Sequence, residues 1–181
     1  MTIRNVVFLL ALALTVPLSG VVPRRAVAAA SEYEIKAAFL VNFAKFVEWP
    51  ATAFYAIEAP VRIGVVGDDP FGADLDKTVR GKLFGSRPMD VRRQEWRDDL
   101  TRFHIVFISG SEKRRLAEIL RPLESTSVLT VSDMGDFCSQ GGVIAFVNVD
   151  QRIRFEVNGA AARRRGLKIS SKLLSLATTV Y

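Results

Sequence analysis

The sequence predicts a single α/β domain: a mixed, mostly parallel sheet with helices on both faces and a C-terminal β-hairpin followed by a helix. Short apolar runs at 61–67, 103–109 and 127–133 alternate with amphipathic stretches at helical spacing, the pattern of βαβ units. Two strand-like runs, GVIAFVNV and RIRFEV, are separated only by Asp150-Gln151, as in a tight hairpin. The 181 residues are 49% hydrophobic and 24% charged, a balance that suits one compact domain rather than a disordered or coiled-coil chain.

The first thirty residues are set apart from that domain. Arg4 gives a short positive start, Val6 to Leu18 form a 13-residue run broken only by Thr15 and Pro17, and small residues follow at Ala26, Ala28, Ala29 and Ala30. This is the layout of a secretory signal, with cleavage expected after Ala28 or Ala30. A membrane anchor is the competing reading, but Pro17, Gly20 and Pro23 interrupt the run before the roughly 20 apolar residues needed to span a bilayer. Arg24 and Arg25 follow the apolar run, so they do not form a twin-arginine export signal. The expected organisation is a signal peptide at 1–30, an α/β domain at 31–181 and a periplasmic location. Removing the signal takes away three arginines and no acids, leaving 22 basic against 19 acidic residues. The pI of about 9.8 therefore overstates the basic character of the mature chain. Export also removes access to nucleic acid, so arginine clusters are read as solvated surface or as contacts to an acidic protein partner.

Taken in order, Ser31 and Glu34 have capping-box spacing and predict the start of a helix that continues to Trp49 and is stopped by Pro50. Ile35, Phe39, Phe43, Phe46 and Val47 form its apolar stripe, and Ala37, Leu40, Val41 and Ala44 widen it. A helix this apolar is covered on more than one side, either wholly within its own domain or also by a second subunit or partner. VRIGVVG predicts a buried strand, and DDPFGADLDKTVRGK a turn into a helix with Phe71, Leu75 and Val79 inward. RPMDVRRQE reads as an edge strand, 96–102 as a helical turn, and FHIVFIS as a central strand. SEKRRLAEILRPL predicts a helix with Leu116, Ile119, Leu120 and Leu123 inward, and SVLTVSD a further strand. After the hairpin, Asn158 and Ser170 read as helix starts, Gly166 as a break, and Leu173, Leu174 and Leu176 as packing residues.

The sequence offers little for catalysis. His104 is the only histidine and sits at the start of a predicted interior strand, so a structural role is expected and a hydrolase built on it is the weakest reading. Cys138 is the only cysteine, which excludes an internal disulfide, and its separation from His104 gives no metal-ligand pairing. The turn GVVGDDPFG has neither dinucleotide-binding nor P-loop spacing, and Asp68 and Asp69 would repel a phosphate. No cofactor, metal or catalytic residue is assigned.

The stretches EYEIKAAFLVNFAKFVEWP, GVVGDDPFGADLDKTVRGK, FHIVFIS, VLTVSDMGDFCSQGGVIAFV and IRFEVNGAAARRRGLKISSKLLSLA together resemble the YfiR-like family of periplasmic regulators, in order, over residues 33–177. The resemblance implies a non-enzymatic repressor that binds the periplasmic domain of an inner-membrane diguanylate cyclase, with an outer-membrane lipoprotein able to sequester it. Cyclic-di-GMP and biofilm formation would respond inside the cell. The family's better-known members look disulfide-stabilised, and the single Cys138 departs from that pattern. A homodimer through the first helix or the C-terminal segment is also expected. The candidate contact residues are Asn42 and Lys45 on the first helix, Arg152 and Arg154 on the hairpin, and Arg164, Lys168 and Lys172 near the C-terminus. The alternative is a small-ligand module with a pocket between Gly67–Phe71 and Ser109–Ser111.

Overall fold

The computed structural model describes residues 31–56 and 58–181, so the expected signal segment lies outside the described residues. Helix α1 (Glu32–Phe46) begins at the capping box: Ser31 Oγ accepts from the Glu34 N–H at 3.1 Å, and the Glu34 carboxylate accepts from the Ser31 N–H. It ends three residues before Trp49, earlier than the proline rule implies. Val47–Glu48 (β1) leaves the helix to pair antiparallel with Lys168–Ile169 (β9), a contact that holds the two ends of the domain together.

The main sheet has the order β3-β4-β2-β5-β6-β7-β8. Its strands are β2 (Val61–Val66), β3 (Leu83–Phe84), β4 (Arg87–Gln94), β5 (Ile105–Ile108), β6 (Leu129–Ser132), β7 (Ile144–Val149) and β8 (Arg152–Val157). The five from β4 to β7 are parallel, while β3 and β8 are antiparallel to their neighbours. Strand β4, expected at the edge, is covered by β3 only at Arg87 and Pro88. Asp150 and Gln151, both at positive φ (49° and 58°), make the primed turn whose twist suits the β7–β8 hairpin.

Strand alternation divides the interior into two layers. Ile63, Val65, Ile105, Phe107, Leu129 and Val131 face α1, α2 (Ala73–Val79), α4 (Gly159–Arg164) and α5 (Ser171–Leu174). Val66, Val106 and Ile108 face α3 (Leu116–Leu120), which is a short α segment between two 3-10 stretches rather than the continuous helix expected. Its inward residues are nevertheless those predicted, Leu116, Ile119, Leu120 and Leu123, all buried. Two buried hydroxyls on this side are satisfied locally. Thr130 Oγ1 accepts from the Val143 N–H at 3.1 Å, and Ser132 Oγ donates to the Ile108 carbonyl at 2.7 Å.

The chain closes on itself at the β8 edge. Thr178 N–H donates to the Phe155 carbonyl, Val157 N–H to Thr179 and Tyr181 N–H to Val157, each at 2.9 Å. Residues 178–181 thus run along β8 as an added parallel edge, a feature the sequence reading did not contain. Of the three leucines expected to pack, Leu173 is buried and Leu174 half-buried, but Leu176 is 53% exposed because the chain has already turned toward that edge.

Candidate functional site

The places where a doubly wound sheet usually holds ligand or catalytic groups are filled by the protein itself. The switch between β2 and β5 is the expected crevice of such a sheet. There Ser111 Oγ accepts from the Asp68 N–H at 3.0 Å, and a Cβ placed on Gly67 would stand 2.4 Å from Ser111 Oγ and 2.8 Å from Glu112 Cγ. The expected ligand pocket between Gly67–Phe71 and Ser109–Ser111 is therefore plugged by Ser111 and Glu112. His104 is buried and stacked on Phe54 at 4.5 Å between ring centroids. Its Nδ1 accepts from the Arg62 N–H at 3.0 Å and its Nε2 lies 3.2 Å from the Ala53 carbonyl, which fixes the neutral Nε2–H form. Burial pushes its pKa down to about 4. Both imidazole nitrogens are committed to backbone, the structural role expected of a histidine at a strand end. Among the described residues no group of three or more His, Cys, Asp or Glu side chains is placed to hold a metal ion.

Of the surface depressions the fold leaves open, one on the C-terminal side has a mainly apolar lining. Asn158 caps α4 by accepting from the Ala161 N–H at 2.8 Å, and its side-chain amide donates to the Cys138 carbonyl at 2.7 Å, so the start of α4 is anchored to the loop before β7. Gly166, at φ +69°, ends α4 and turns the chain into β9. Ser170 caps α5, accepting from the Leu173 N–H at 3.2 Å. Between these elements and the returning Val180 lies a 260 Å³ depression floored by Ala162, Leu167, Ile169 and Leu174. Arg163 and Lys168 stand on its wall. From Arg163 to Lys172 the chain contains five basic residues and no acid. Among the described residues, Arg163, Arg164, Lys168 and Lys172 form no ion pair.

The residues expected to make contacts are thus dispersed. Lys168 lines the groove, Arg164 is exposed at the end of α4, and Lys172 Nζ lies 5.6 Å from the centre of the Phe46 ring, joining the groove to the end of α1. Asn42 and Lys45 are exposed on the outer face of α1. Arg152 and Arg154 are exposed but sit elsewhere. They pair with Val149 and Val147 on the sheet face opposite Phe155 and Val157, which pack under α1. Arg163, passed over as a contact in favour of Arg164, is the arginine that lines the groove, with Nη1 3.4 Å from where a Cβ on Gly159 would be. Arg165 is buried rather than part of a basic face. Its Nη1 donates to the Ala161 carbonyl at 3.2 Å, and burial lowers its pKa. Its spacing of four from Ala161 was the available signal, since Ala161, Ala162 and Arg165 fall on one side of a helix.

Lys36 is a second charged residue that the structure buries. One of the few polar residues of α1, it is buried, with Nζ 2.7 Å from Asp133 Oδ2 and 2.6 Å from Glu32 Oε1 and with the Tyr33 ring 4.4 Å away. Burial alone would lower its pKa, but the hydrogen bonds to Asp133 and Glu32 outweigh that and leave it raised. Tyr33 donates to the same Asp133 oxygen at 3.0 Å. This cluster locks the start of α1 to the end of β6, with the single Lys36 ammonium shared between two carboxylates.

The fold and its surface define a class: a doubly wound α/β domain with a filled strand switch at Gly67 and Ser111 and an apolar, basic-walled groove beside α4. Within that class, the chain belongs to the YfiR/HmsC-like family, whose model matches residues 33–178. That is a family of periplasmic regulators of cyclic-di-GMP signalling that act with membrane diguanylate cyclases and not as catalysts. Among the described residues no helix is long and apolar enough to cross a membrane. The fold is also similar to the crystal structure of a conserved domain protein from Vibrio cholerae O1 biovar eltor str. N16961, with a TM-score of 0.59 at 11% identity. That match covers 83% of this chain and 60% of the other, so this chain spans well under the full length of that protein.

Proposed function

We propose that this protein is a periplasmic repressor that docks onto the sensor domain of an inner-membrane diguanylate cyclase and holds it inactive, with the groove between α4, β9 and α5 as the principal contact. One observation carries the reading: the groove combines an apolar floor with basic side chains that have no carboxylate partner among the described residues. Apolar floors gain from burial, and unpaired charges at a rim steer encounter and select an oppositely charged partner. The filled crevice at Gly67 and Ser111 favours this over a small-ligand module. Release by an outer-membrane lipoprotein fits the same scheme if the lipoprotein competes for that surface.

The test joins physiology to binding. Deleting the gene should raise cyclic-di-GMP and biofilm, and restoring the wild-type gene should reverse both. A Lys168→Glu, Lys172→Glu variant exported at normal abundance should not complement. Unchanged cyclic-di-GMP on deletion, with no binding of the purified protein to the periplasmic domain of any cyclase in the cell, would refute the proposal.

A further inference from the structure

Arg165 is a buried guanidinium with one edge unpaired. It is 2% exposed at the end of α4, where its Nη1 donates to the Ala161 carbonyl at 3.2 Å, the ordinary role of a base at a helix C-terminus. Its Nε and Nη2 are buried and have no hydrogen-bond partner. These two nitrogens share one edge of the planar guanidinium, the edge that offers parallel N–H groups to a pair of oxygen atoms. Among the described residues the one other buried side-chain nitrogen or oxygen without a partner is Trp49 Nε1, again a donor. The β1–β9 register, carried two residues further, sets Trp49 opposite Leu167 and Pro50 opposite Gly166, and a Cβ on Gly166 would indeed lie 4.0 Å from Pro50 Cγ. The unmet donors therefore belong to the two chain segments that meet at this end of the ladder, and what they lack is an acceptor.

A buried charge is costly unless an opposite charge and hydrogen bonds compensate it. Among the described residues no carboxylate stands within ion-pair distance of Arg165. Glu124 favours its charge from farther away, and neighbouring Arg164 opposes it. Bound water would satisfy the N–H groups but leave the charge uncompensated. We propose that the Nε–Nη2 edge of Arg165 is a binding site for a small oxyanion, either phosphate or the carboxylate of a small acid, held by two parallel N–H···O bonds. Access is by the turn at 124–127 that leads into β6. Ser127 Oγ lies 3.8 Å from where a Cβ on Gly166 would be, so this turn lies against the residue next to Arg165. Glu124 and Ser125 are exposed, and the turn is fastened to its own neighbours, by the Glu124 N–H to the Arg121 carbonyl at 3.4 Å and the Thr126 N–H to the Leu123 carbonyl at 3.2 Å. It can lift without breaking a strand pairing, which gives an ion a way in. Exposed Arg121 and Arg164 raise the local concentration of anions there. The groove is lined by Arg163 and Lys168 and not by Arg165, so the inference is independent of the repressor reading.

Thermal unfolding of the purified protein tests it, with inorganic phosphate or acetate raised to about 10 mM while sodium chloride holds the ionic strength constant. A ligand that binds only the folded chain raises Tm by about 3–5 °C at ten times its dissociation constant. The wild type should show such a saturating rise, and whether phosphate or acetate produces it identifies the kind of oxyanion. Arg165→Met should fold, because an apolar side chain in place of a buried charge is often tolerated, and should lose the saturating rise. General stabilisation by phosphate acts on both proteins alike and does not saturate in this range. Glu124→Gln alters the surface and leaves Arg165 in place, and it should bind the anion several-fold more tightly because a nearby negative charge is gone. A saturating rise that survives Arg165→Met, or binding no tighter in Glu124→Gln, overturns the proposal. So does a wild type indifferent to both anions with Glu124→Gln destabilised, which would give the free edge of Arg165 to Glu124.

Discussion

The ring of Phe137 occupies the space that any side chain at Gly142 would need: a Cβ there would lie 2.1 Å from Phe137 Cε1. The loop closes on itself here, with the Gly142 N–H donating to the Phe137 carbonyl at 2.9 Å and Gly141 at φ +96°. Phe137 is fully buried in the layer beneath α3, so it cannot swing aside without disturbing that core. Gly142→Ala should therefore cost about 2–3 kcal/mol, the usual penalty for overfilling a packed site. Urea unfolding should show the loss, and Phe137→Leu in the same background should return part of it.

Buried Lys36 pairs with half-buried Asp133, 97 positions away in sequence. Removing Asp133 leaves the buried Lys36 ammonium with only the more exposed Glu32 as a carboxylate partner. Asp133→Ala should destabilise by about 2 kcal/mol, while Lys36→Met with Asp133→Leu should lose less, because a largely buried pair exchanged for apolar groups of similar size is often near neutral. Thermal melts of the single and double variants decide this.

Much of the fold was legible because it is written in local terms. The caps at Ser31, Asn158 and Ser170, the Asp150-Gln151 turn and the alternating apolar strands each depend on residues a few positions apart. Long-range pairing was not legible. Nothing near Val47 indicates that it will leave α1 to meet Ile169, and nothing near Lys36 points to Asp133. The candidate site was half visible for the same reason. Its basic residues stand out in sequence, but the floor that makes them a groove is assembled from α4, β9, α5 and Val180, and hairpin arginines of equal appearance fall on the other face of the sheet.

Stability should depend on pH through His104. Burial holds its folded pKa at about 4, below the roughly 6.5 of an unfolded histidine, so folding favours the neutral ring. The stabilising contribution is complete above pH ~6.5 and lost as pH falls from there toward 4, by roughly 3 kcal/mol. His104→Gln should lower stability at pH 7 yet flatten its decline between pH 6.5 and 4, as read from urea midpoints across that range.

Cys138 is buried, with Sγ within 3.7 Å of the Val143 carbonyl, and burial pushes its thiol pKa up to about 12. A thiol in that state has almost no thiolate at neutral pH. Iodoacetamide at pH 8 should leave the native protein unmodified and alkylate it fully in denaturant. A non-reducing gel should likewise show no intermolecular disulfide, so association of this chain does not pass through a covalent bridge.

The groove makes the sharpest functional prediction, because its apolar floor and its basic wall should respond differently to one set of conditions. Lys168→Glu inverts a charge at the wall, and its effect on docking to the cyclase domain should shrink as salt rises, since exposed charges are screened beyond about 8–10 Å at physiological ionic strength. Val180→Asp places a carboxylate where the lining side chain is 51% exposed and apolar, so it should weaken docking at every salt concentration. Its backbone contacts along β8 are unaffected by the substitution, and the protein should melt near the wild-type temperature. Arg152→Glu, on the opposite face of the sheet, serves as the control and should change docking little. Association and dissociation rates separate the two effects further: the lysine change should act mainly on the rate of encounter, and the valine change on the lifetime of the complex. Equal losses from Arg152→Glu and Lys168→Glu would move the contact surface away from the groove and onto the hairpin.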